Sequence, residues 1–347
     1  MTSRWEGQGV VVALSGGVDS TVVASKLLAE GRRPKAVHLK LWSPWGDEED
    51  PRESGVARAR RVAHELSIPL KIVDVREAFK EKVLRRCWED YKRGRTPNPC
   101  VLCNQYIKFG LLAEVTRQLG ARQLATGHHA RLKKAADAEA GHGAPRLFRG
   151  RDRRKDQSYF LAMVDDSALN RARFPLGEMT KVEVRREAAD QGLAQAVAEE
   201  SQDVCVRAAG LAFPEILSRL FGDPNRFGVI RDSSGKVLGR HQGVYRYTIG
   251  QRKGLGVAAR QRLYVVGLDP AHDEVVLGIA AELDSRHLRA TDVIWRVGAW
   301  GGDPPQEFSC LTQIRYRHTP ARATVRLGPR REALVTFENP QRAITAG

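Results

Sequence analysis

The chain is predicted to be an α/β N-terminal domain on a parallel, Rossmann-like sheet, followed by a small mostly-β central domain and a β-rich C-terminal domain. Three observations predict it. Over roughly the first 130 residues, short strand-type apolar runs alternate with helical periodicity, the pattern of a parallel sheet covered by helices. Beyond Leu211, strict alternation and turn signals take over. The length of 347 residues also exceeds one core, since a domain holds about 150 residues.

Val10 to Leu14 is a short apolar run of buried-strand type. After a polar turn, Thr21 to Glu30 is helical, with apolar Val22, Val23, Leu27 and Leu28 and a stop at Gly31. Ala36–Leu41 and Leu70–Val75 are the second and third strands, with Val56, Ala59, Val62, Ala63 and Leu66 at helical spacing between them. Phe79, Val83, Cys87 and Tyr91 step by four along another helix, which makes Cys87 a core thiol. Gly94–Pro99, with two prolines, is loop. Ile107, Leu111, Val115 and Leu119 form the next helical stripe, and Gln123–Thr126 is a fourth strand running into Gly127-His-His129. Ala135–Pro145 reads as a flexible surface loop, and Thr180-Lys-Val-Glu183 has capping-box form ahead of a helix stopping near Gly192.

A helix over Phe213–Phe221 precedes the alternating region. Leu263–Leu268 and Glu274–Leu277 form a hairpin about Pro270–Asp273, and Val293–Val297, Phe308–Tyr316, Ala323–Leu327 and Ala333–Phe337 are strand-like. Cys310, alternating with Phe308 and Thr312, is structural. The expected domains are 1–210, 211–284 and 285–347, with 171–195 a candidate to pack with the central domain.

Composition narrows the function classes. Lys and Arg number 57 against 41 Asp and Glu, a net charge of +16 that suits a polyanionic partner such as nucleic acid. An apolar fraction of 42% is enough to build cores, which excludes disorder as the main state. No apolar run is long enough for a transmembrane helix, and the first residues lack a secretory signal, so a cytoplasmic protein with no membrane partner is expected. Five cysteines at irregular spacing do not make a disulfide framework.

The sharpest motif is Ser15-Gly-Gly-Val-Asp-Ser20, between the first strand and helix. Two glycines allow a tight turn with exposed N–H groups, the serines and Thr21 add hydroxyls, and the helix N-terminus adds its dipole. That is a phosphate cradle, and neither a Walker loop nor G-x-G-x-x-G. It resembles the PP-loop, S-G-G-x-D-S, of the ATP pyrophosphatase superfamily, which cleaves ATP between the α and β phosphates. A second motif, Thr96-Pro-Asn-Pro-Cys-Val-Leu-Cys103, is a stiff loop that places Cys103 at a helix start, and Cys205 lies in the polar run Ser201-Gln-Asp-Val-Cys205. The thiols suit a zinc site, an iron–sulfur cluster with one open iron, persulfide chemistry with a resolving thiol, or no chemistry at all.

In order, S-G-G-V-D-S, R-T-P-N-P-x-x-x-C-N-x-x-I-K-F, A-T-G-H, K-D-Q-S-Y-F-L, S-Q-D-x-C and G-Q-R-K-G-L-G resemble the bacterial tRNA-uridine 2-sulfurtransferases, or tRNA-specific 2-thiouridylases, from Val10 to beyond Tyr316. The resemblance implies ATP-dependent conversion of a wobble uridine to 2-thiouridine, in tRNAs for Lys, Glu and Gln, and a β-barrel-like C-terminal domain. It implies ATP binding by Ala13, Leu14, Ser15, Gly16, Gly17, Val18, Asp19 and Ser20, with Leu39 and Gly127 lining the nucleotide and Asp19 helping to place magnesium. Cys103 would be the nucleophile and Cys205 the persulfide carrier, finishing as a disulfide. Asn98, Pro99 and Cys100 would form the target-base pocket. His128, Lys155, Asp156, Gln157, Arg315 and Tyr316 would touch tRNA, and a cysteine desulfurase or sulfur-relay protein would donate sulfur.

Two departures stand out. Many relatives have Asp where Cys100 stands, so Cys100, Cys103 and Cys205 could together ligate an iron–sulfur cluster that delivers the sulfur. Relatives also continue past Glu338-Asn-Pro340 with a Gly-Gln pair, so 285–347 is expected to be shortened. Basic residues Arg146, Arg149, Arg151, Arg153 and Arg154 crowd toward Lys155, and Gln251-Arg-Lys253 is a second cluster. Rival readings are a small-molecule adenylating ligase of the same superfamily and a non-catalytic RNA-binding protein.

Overall fold

The computed structural model describes residues 9–42, 54–133, 144–193, 206, 210–222, 226–296, 298, 300 and 302–347. In chain order the first elements are β1 (Gly9–Ala13), α1 (Val18–Ala29), β2 (Lys35–Lys40), α2 (Gly55–Glu65) and β3 (Leu70–Asp74). Then come α3 (Arg76–Phe79), a π-helical turn, α4 (Arg85–Lys92), α5 (Pro99–Leu102), a π-helix over Cys103–Leu111, and α6 (Leu112–Gln118). β4 (Ala121–Ala125), β5 (Ala130–Lys133), β6 (Arg146–Arg149), α7 (Asp166–Arg171), β7 (Ala172–Arg173) and α8 (Lys181–Asp190) follow. The remainder is α9 (Phe213–Phe221) and eight strands: β8 (Gly228–Asp232), β9 (Val237–His241), β10 (Tyr264–Asp269), β11 (Glu274–Gly278), β12 (Asp284–Ala290), β13 (Glu307–Thr312), β14 (Ala321–Gly328) and β15 (Glu332–Arg342).

The chain divides into two compact units. The first holds residues up to Val83, Cys100–Arg207 and Arg296–Asp303. Its sheet has the order β3-β2-β1-β4-β7 with every pairing parallel. Apolar side chains cover both faces, as a parallel sheet requires. One face packs Val10, Val12, Val22, Leu27, Val62 and Val184 together, and the other gathers Val11, Phe109, Leu112, Leu124 and Leu169. Strand order reverses at β1, so the crevice beyond the ends of β1 and β4 is the topological switch point, where ligands of open α/β sheets bind. Helix α8, from the stretch considered for the central domain, packs on α1 in this unit.

The second unit holds Leu84–Pro99, Ala208–Trp295 and Pro304–Gly347. It contains a sheet of order β10-β11-β8-β9 and an antiparallel sheet of order β12-β15-β14-β13. Helix α4 belongs here: Trp88 meets Tyr245 edge-on at 5.1 Å and Tyr91 meets Phe213 at 6.3 Å. Cys87 is fully buried beside them on α4, a core thiol as its apolar stripe predicts. The Thr96 N–H donates to the Ala346 carbonyl at 2.7 Å, and its hydroxyl donates to Thr248 at 3.2 Å.

Three local expectations change. The fully buried positions of the helix after Cys103 include Ile107, Leu112 and Thr116, with Val115 and Leu119 of the expected stripe half-buried against the same core and Leu112 there in place of Leu111. A π-helix closes its bonds over five residues, which moves the buried face on by one position. Val293–Arg296 is not a strand; the Arg296 guanidinium instead bonds Asp166 and the carbonyls of Leu161 and Val164, each at 2.7 Å. Strand β13 ends at Thr312, and Arg315-Tyr316-Arg317 form a turn because Arg317 takes a left-handed φ of 66° that no strand continues. No helix of the described residues is long and apolar enough to cross a membrane. Cys205 and residues 135–143 of the expected surface loop lie outside the described residues.

Candidate functional site

The loop between β1 and α1 is built as a cradle. Gly17 caps α1 without a side-chain hydrogen bond, so the first-turn N–H groups of a twelve-residue helix stay open toward an anion. Ser15 and Ser20 close the loop on itself: their hydroxyls lie 3.1 Å apart, and the Ser15 N–H donates to Ser20 Oγ at 3.2 Å. Ser20 and Thr21 hydroxyls both donate to the Gly17 carbonyl at 3.0 Å. Gly16 has φ +81°, and a Cβ there would stand 2.6 Å from Arg58 Cβ and 2.8 Å from the Ala59 nitrogen, so only glycine fits. Gly127, at the end of β4, is required for another reason: its Cβ would approach Asp19 Cβ to 3.0 Å. The segment after β4 therefore lies against the first turn of α1. Ala13 and Leu14 lead into the loop, Val18 opens α1, and Leu39 packs at the end of β2.

Two residues that the sequence reading missed complete this site. Lys181, the first residue of α8, places Nζ 2.6 Å from Asp19 Oδ1. His129 Nε2 lies 3.6 Å from the same oxygen, on a ring 3% exposed whose nitrogens have no hydrogen-bond partner. Burial works to raise the Asp19 pKa, but the neighbouring His129 ring and the hydrogen-bonded Lys181 cation outweigh it and hold the carboxylate below its ordinary range. One signal could have found Lys181: it sits at N1 behind a complete Thr180–Glu183 capping box, so its helix start was legible. A magnesium ion fits one carboxylate supplemented by substrate phosphates, which is what Asp19 beside the cradle offers.

The other candidates scatter. Cys103 is buried at the start of the π-helix, and Cys100 is half-buried one turn earlier on α5. Asn98 and Pro99 precede them, and the border between the two units falls after Pro99. Among the described residues no three His, Cys, Asp or Glu side chains gather to hold a metal ion. Cys205, the third thiol of the expected cluster, lies outside the described residues. Asp156 turns inward, accepting from the N–H groups of Gly150 and Ser158 at 2.9 and 3.1 Å. Gln157 pins His129, accepting from its N–H at 3.0 Å and donating its own N–H to the His129 carbonyl at 2.9 Å. His128 is buried. Arg153 and Arg154 are exposed, whereas Arg151 bonds Glu183 at 3.1 Å. In the second unit Arg315 is exposed and donates to the Arg342 carbonyl at 3.0 Å, with Arg317 stacked 5.5 Å over Tyr316.

Comparison with known proteins agrees along the whole chain. Residues 8–208 match the family model described as tRNA methyl transferase HUP domain, 221–279 its PRC-barrel domain, and 285–347 the aminomethyltransferase beta-barrel domain. A tRNA-specific 2-thiouridylase MnmA from Geobacter metallireducens is 42% identical over 97% of this chain and 91% of its own length. The one from Syntrophotalea carbinolica is 42% identical over 97% of this chain and 93% of its own length. The chain belongs to the tRNA-specific 2-thiouridylase family. A thiouridylase is a tRNA sulfurtransferase that uses ATP, so the methyl transfer in the family models' descriptions names a different chemistry from that of the curated relatives. Among solved structures, a 4-thiouridine synthetase bound to RNA and ATP is 20% identical over 62% of this chain and 50% of its own, with a TM-score of 0.35.

Proposed function

We propose that the chain thiolates the wobble uridine of tRNAs for Lys, Glu and Gln, with adenylation at the Ser15–Ser20 loop and sulfur transfer by Cys103 and Cys205. The observation that carries this reading is the open first turn of α1 behind Gly16 and Gly17, at the switch point of a parallel sheet and inside a chain of thiouridylase sequence.

The carbonyl oxygen at C2 of uridine is a poor leaving group. Its attack on the α-phosphorus of ATP forms a P–O bond and releases pyrophosphate. The cradle's N–H groups and the Lys181 cation suit the charge that gathers on the departing phosphates. Asp19 would hold magnesium, which supplies further neutralisation of that charge. The outer sulfur of a Cys205 persulfide then attacks C2, and AMP leaves with the oxygen. The Cys103 thiolate attacks the inner sulfur, the S–S bond breaks toward the nucleobase, and 2-thiouridine departs as a Cys103–Cys205 disulfide forms. A dithiol reductant returns both thiols, and a cysteine desulfurase or sulfur-relay protein reloads Cys205. Lys155, Arg315 and Tyr316, with exposed Arg153 and Arg154, supply charge and a stacking ring for tRNA. The reaction takes place in the cytoplasm.

The iron–sulfur alternative assigns Cys100, Cys103 and Cys205 as ligands; the persulfide route is preferred because it needs only two of them. A small-molecule ligase leaves both cysteines unused, and a plain RNA-binding protein leaves the cradle unused. The test is tRNA-dependent pyrophosphate release together with 2-thiouridine analysis of Cys103→Ser and Cys205→Ser. The reading expects release to persist and thiouridine to vanish in both variants. Thiouridine at the level of the unaltered protein in either one overturns it.

A further inference from the structure

His128 follows Gly127 at the end of β4 and is 6% exposed. Its ring packs against Phe109, 5.8 Å away, and Phe174, 5.5 Å away. The Asn104 amide donates from Nδ2 to the Phe160 carbonyl at 3.0 Å, which turns its Oδ1 toward the imidazole. An amide oxygen only accepts. His128 Nε2, 3.2 Å from that oxygen, therefore carries the proton and donates it. Nδ1 is then bare and accepts from the Thr126 hydroxyl at 2.7 Å. Burial first, then the positive neighbours Lys108 and His129, pushes the ring's pKa well below its ordinary value, so it is neutral as this pattern requires. Both nitrogens are committed inside the protein, which leaves neither for a phosphate or a base.

Asn104 is the residue immediately after Cys103, in the same π-helix. Thr126 and Gly127 continue from β4 to the cradle, where Gly127 closes on Asp19. We propose that His128 is a positioning residue for sulfur transfer: its imidazole ties Asn104, and with it the backbone of Cys103, to the strand end that borders the nucleotide loop. Sulfur transfer demands such a tie, because misplacing a reacting group by about 1 Å can cost a hundredfold in rate. The role replaces the direct tRNA contact that family resemblance implies for this position. It rests on the reading of Cys103 as the thiol that resolves the persulfide.

The test compares His128→Ala, His128→Gln, Asn104→Ala and Cys103→Ser in the full chain. Three quantities are measured: tRNA affinity by filter binding at fixed salt, tRNA-dependent pyrophosphate release, and single-turnover 2-thiouridine formation. His128→Ala and Asn104→Ala are expected to bind tRNA normally and release pyrophosphate, yet thiolate about a hundredfold more slowly. His128→Gln, whose amide can donate toward Asn104 and accept from Thr126, is expected to recover most of the rate. A fall in tRNA affinity with normal thiolation at saturating tRNA overturns the positioning role, as does a normal rate in His128→Ala or no recovery in His128→Gln. If His128→Ala does not fold, Asn104→Ala cuts the same link and decides the matter. Thiolation that survives in Cys103→Ser removes the underlying reading instead, a result distinct from any His128 outcome.

Discussion

Lys181 Nζ sits 2.6 Å from Asp19 Oδ1 across 162 positions of sequence, and the pair joins the first turn of α8 to the first turn of α1. The Lys181 cation holds the carboxylate of the loop between β1 and α1 in place. Lys181→Met would leave Asp19 with only His129. The expected loss is about 2 kcal/mol, below that of a fully buried pair because a third of the Asp19 side chain is exposed. Adding Asp19→Asn to Lys181→Met should restore part of the stability and none of the pyrophosphate release. Urea unfolding and release assays on the single and double variants check both expectations.

Gly16→Ala is expected to destabilise the chain by roughly 2–4 kcal/mol, since left-handed backbone strain adds to a clash against α2. The clash is with the backbone of Arg58 and Ala59, which cannot swing aside as a side chain could. Isothermal titration with ATP should show binding lost. Gly17→Ala, with only Ser15 Oγ at 3.6 Å and an extended backbone, should be far milder.

Stability should fall on acidification below about pH 6.5, the ordinary imidazole value. Burial is the main cause that depresses the pKa of His38, His128 and His241. A histidine depressed in the folded state contributes its full stability above the unfolded value, and loses it as pH falls toward the folded one. Each group adds a slope of up to about 1.4 kcal/mol per pH unit. Thermal midpoints measured between pH 7.5 and 5.5 should drop steadily, and His128→Gln should flatten the curve. An unchanged slope in that variant would mean that its ring does not stay neutral.

Binding of tRNA should weaken with salt, because phosphate contacts release counterions. Arg153 and Arg154 are exposed, unlike the inward-turned Asp156 and Gln157 of the same loop. Arg153→Ala and Arg154→Ala are each expected to reduce the log–log salt slope by about one. Asp156→Asn should leave the slope alone and lower the melting temperature. Filter binding across a salt series separates the two effects.

Much of the fold was readable along the chain because its causes are local. Strand-type runs at Val10–Leu14 and Leu70–Val75, the helix over Phe213–Phe221 and the capping box at Thr180 each declare themselves within a few residues. The π-turn after Cys103 was not readable, since a single shift of hydrogen-bond register leaves composition and spacing almost unchanged. The site divides the same way. Ser15–Ser20 and the cysteine loop are contiguous motifs, whereas Lys181 and His129 reach Asp19 only after the sheet is assembled.

The sequence by itself determined the cradle, the alternation that makes a parallel sheet, the basic surplus and the family. Tertiary structure alone decided three matters: that α4 packs with Phe213 and Tyr245 in the second unit, that Asp156 and Gln157 turn inward, and that His128 spends its two nitrogens on Thr126 and Asn104. The physical reason is common to all three. A motif records what backbone geometry needs among neighbours, but a buried polar group takes whichever partner the packed chain brings within about 3 Å, and sequence distance carries no mark of that choice.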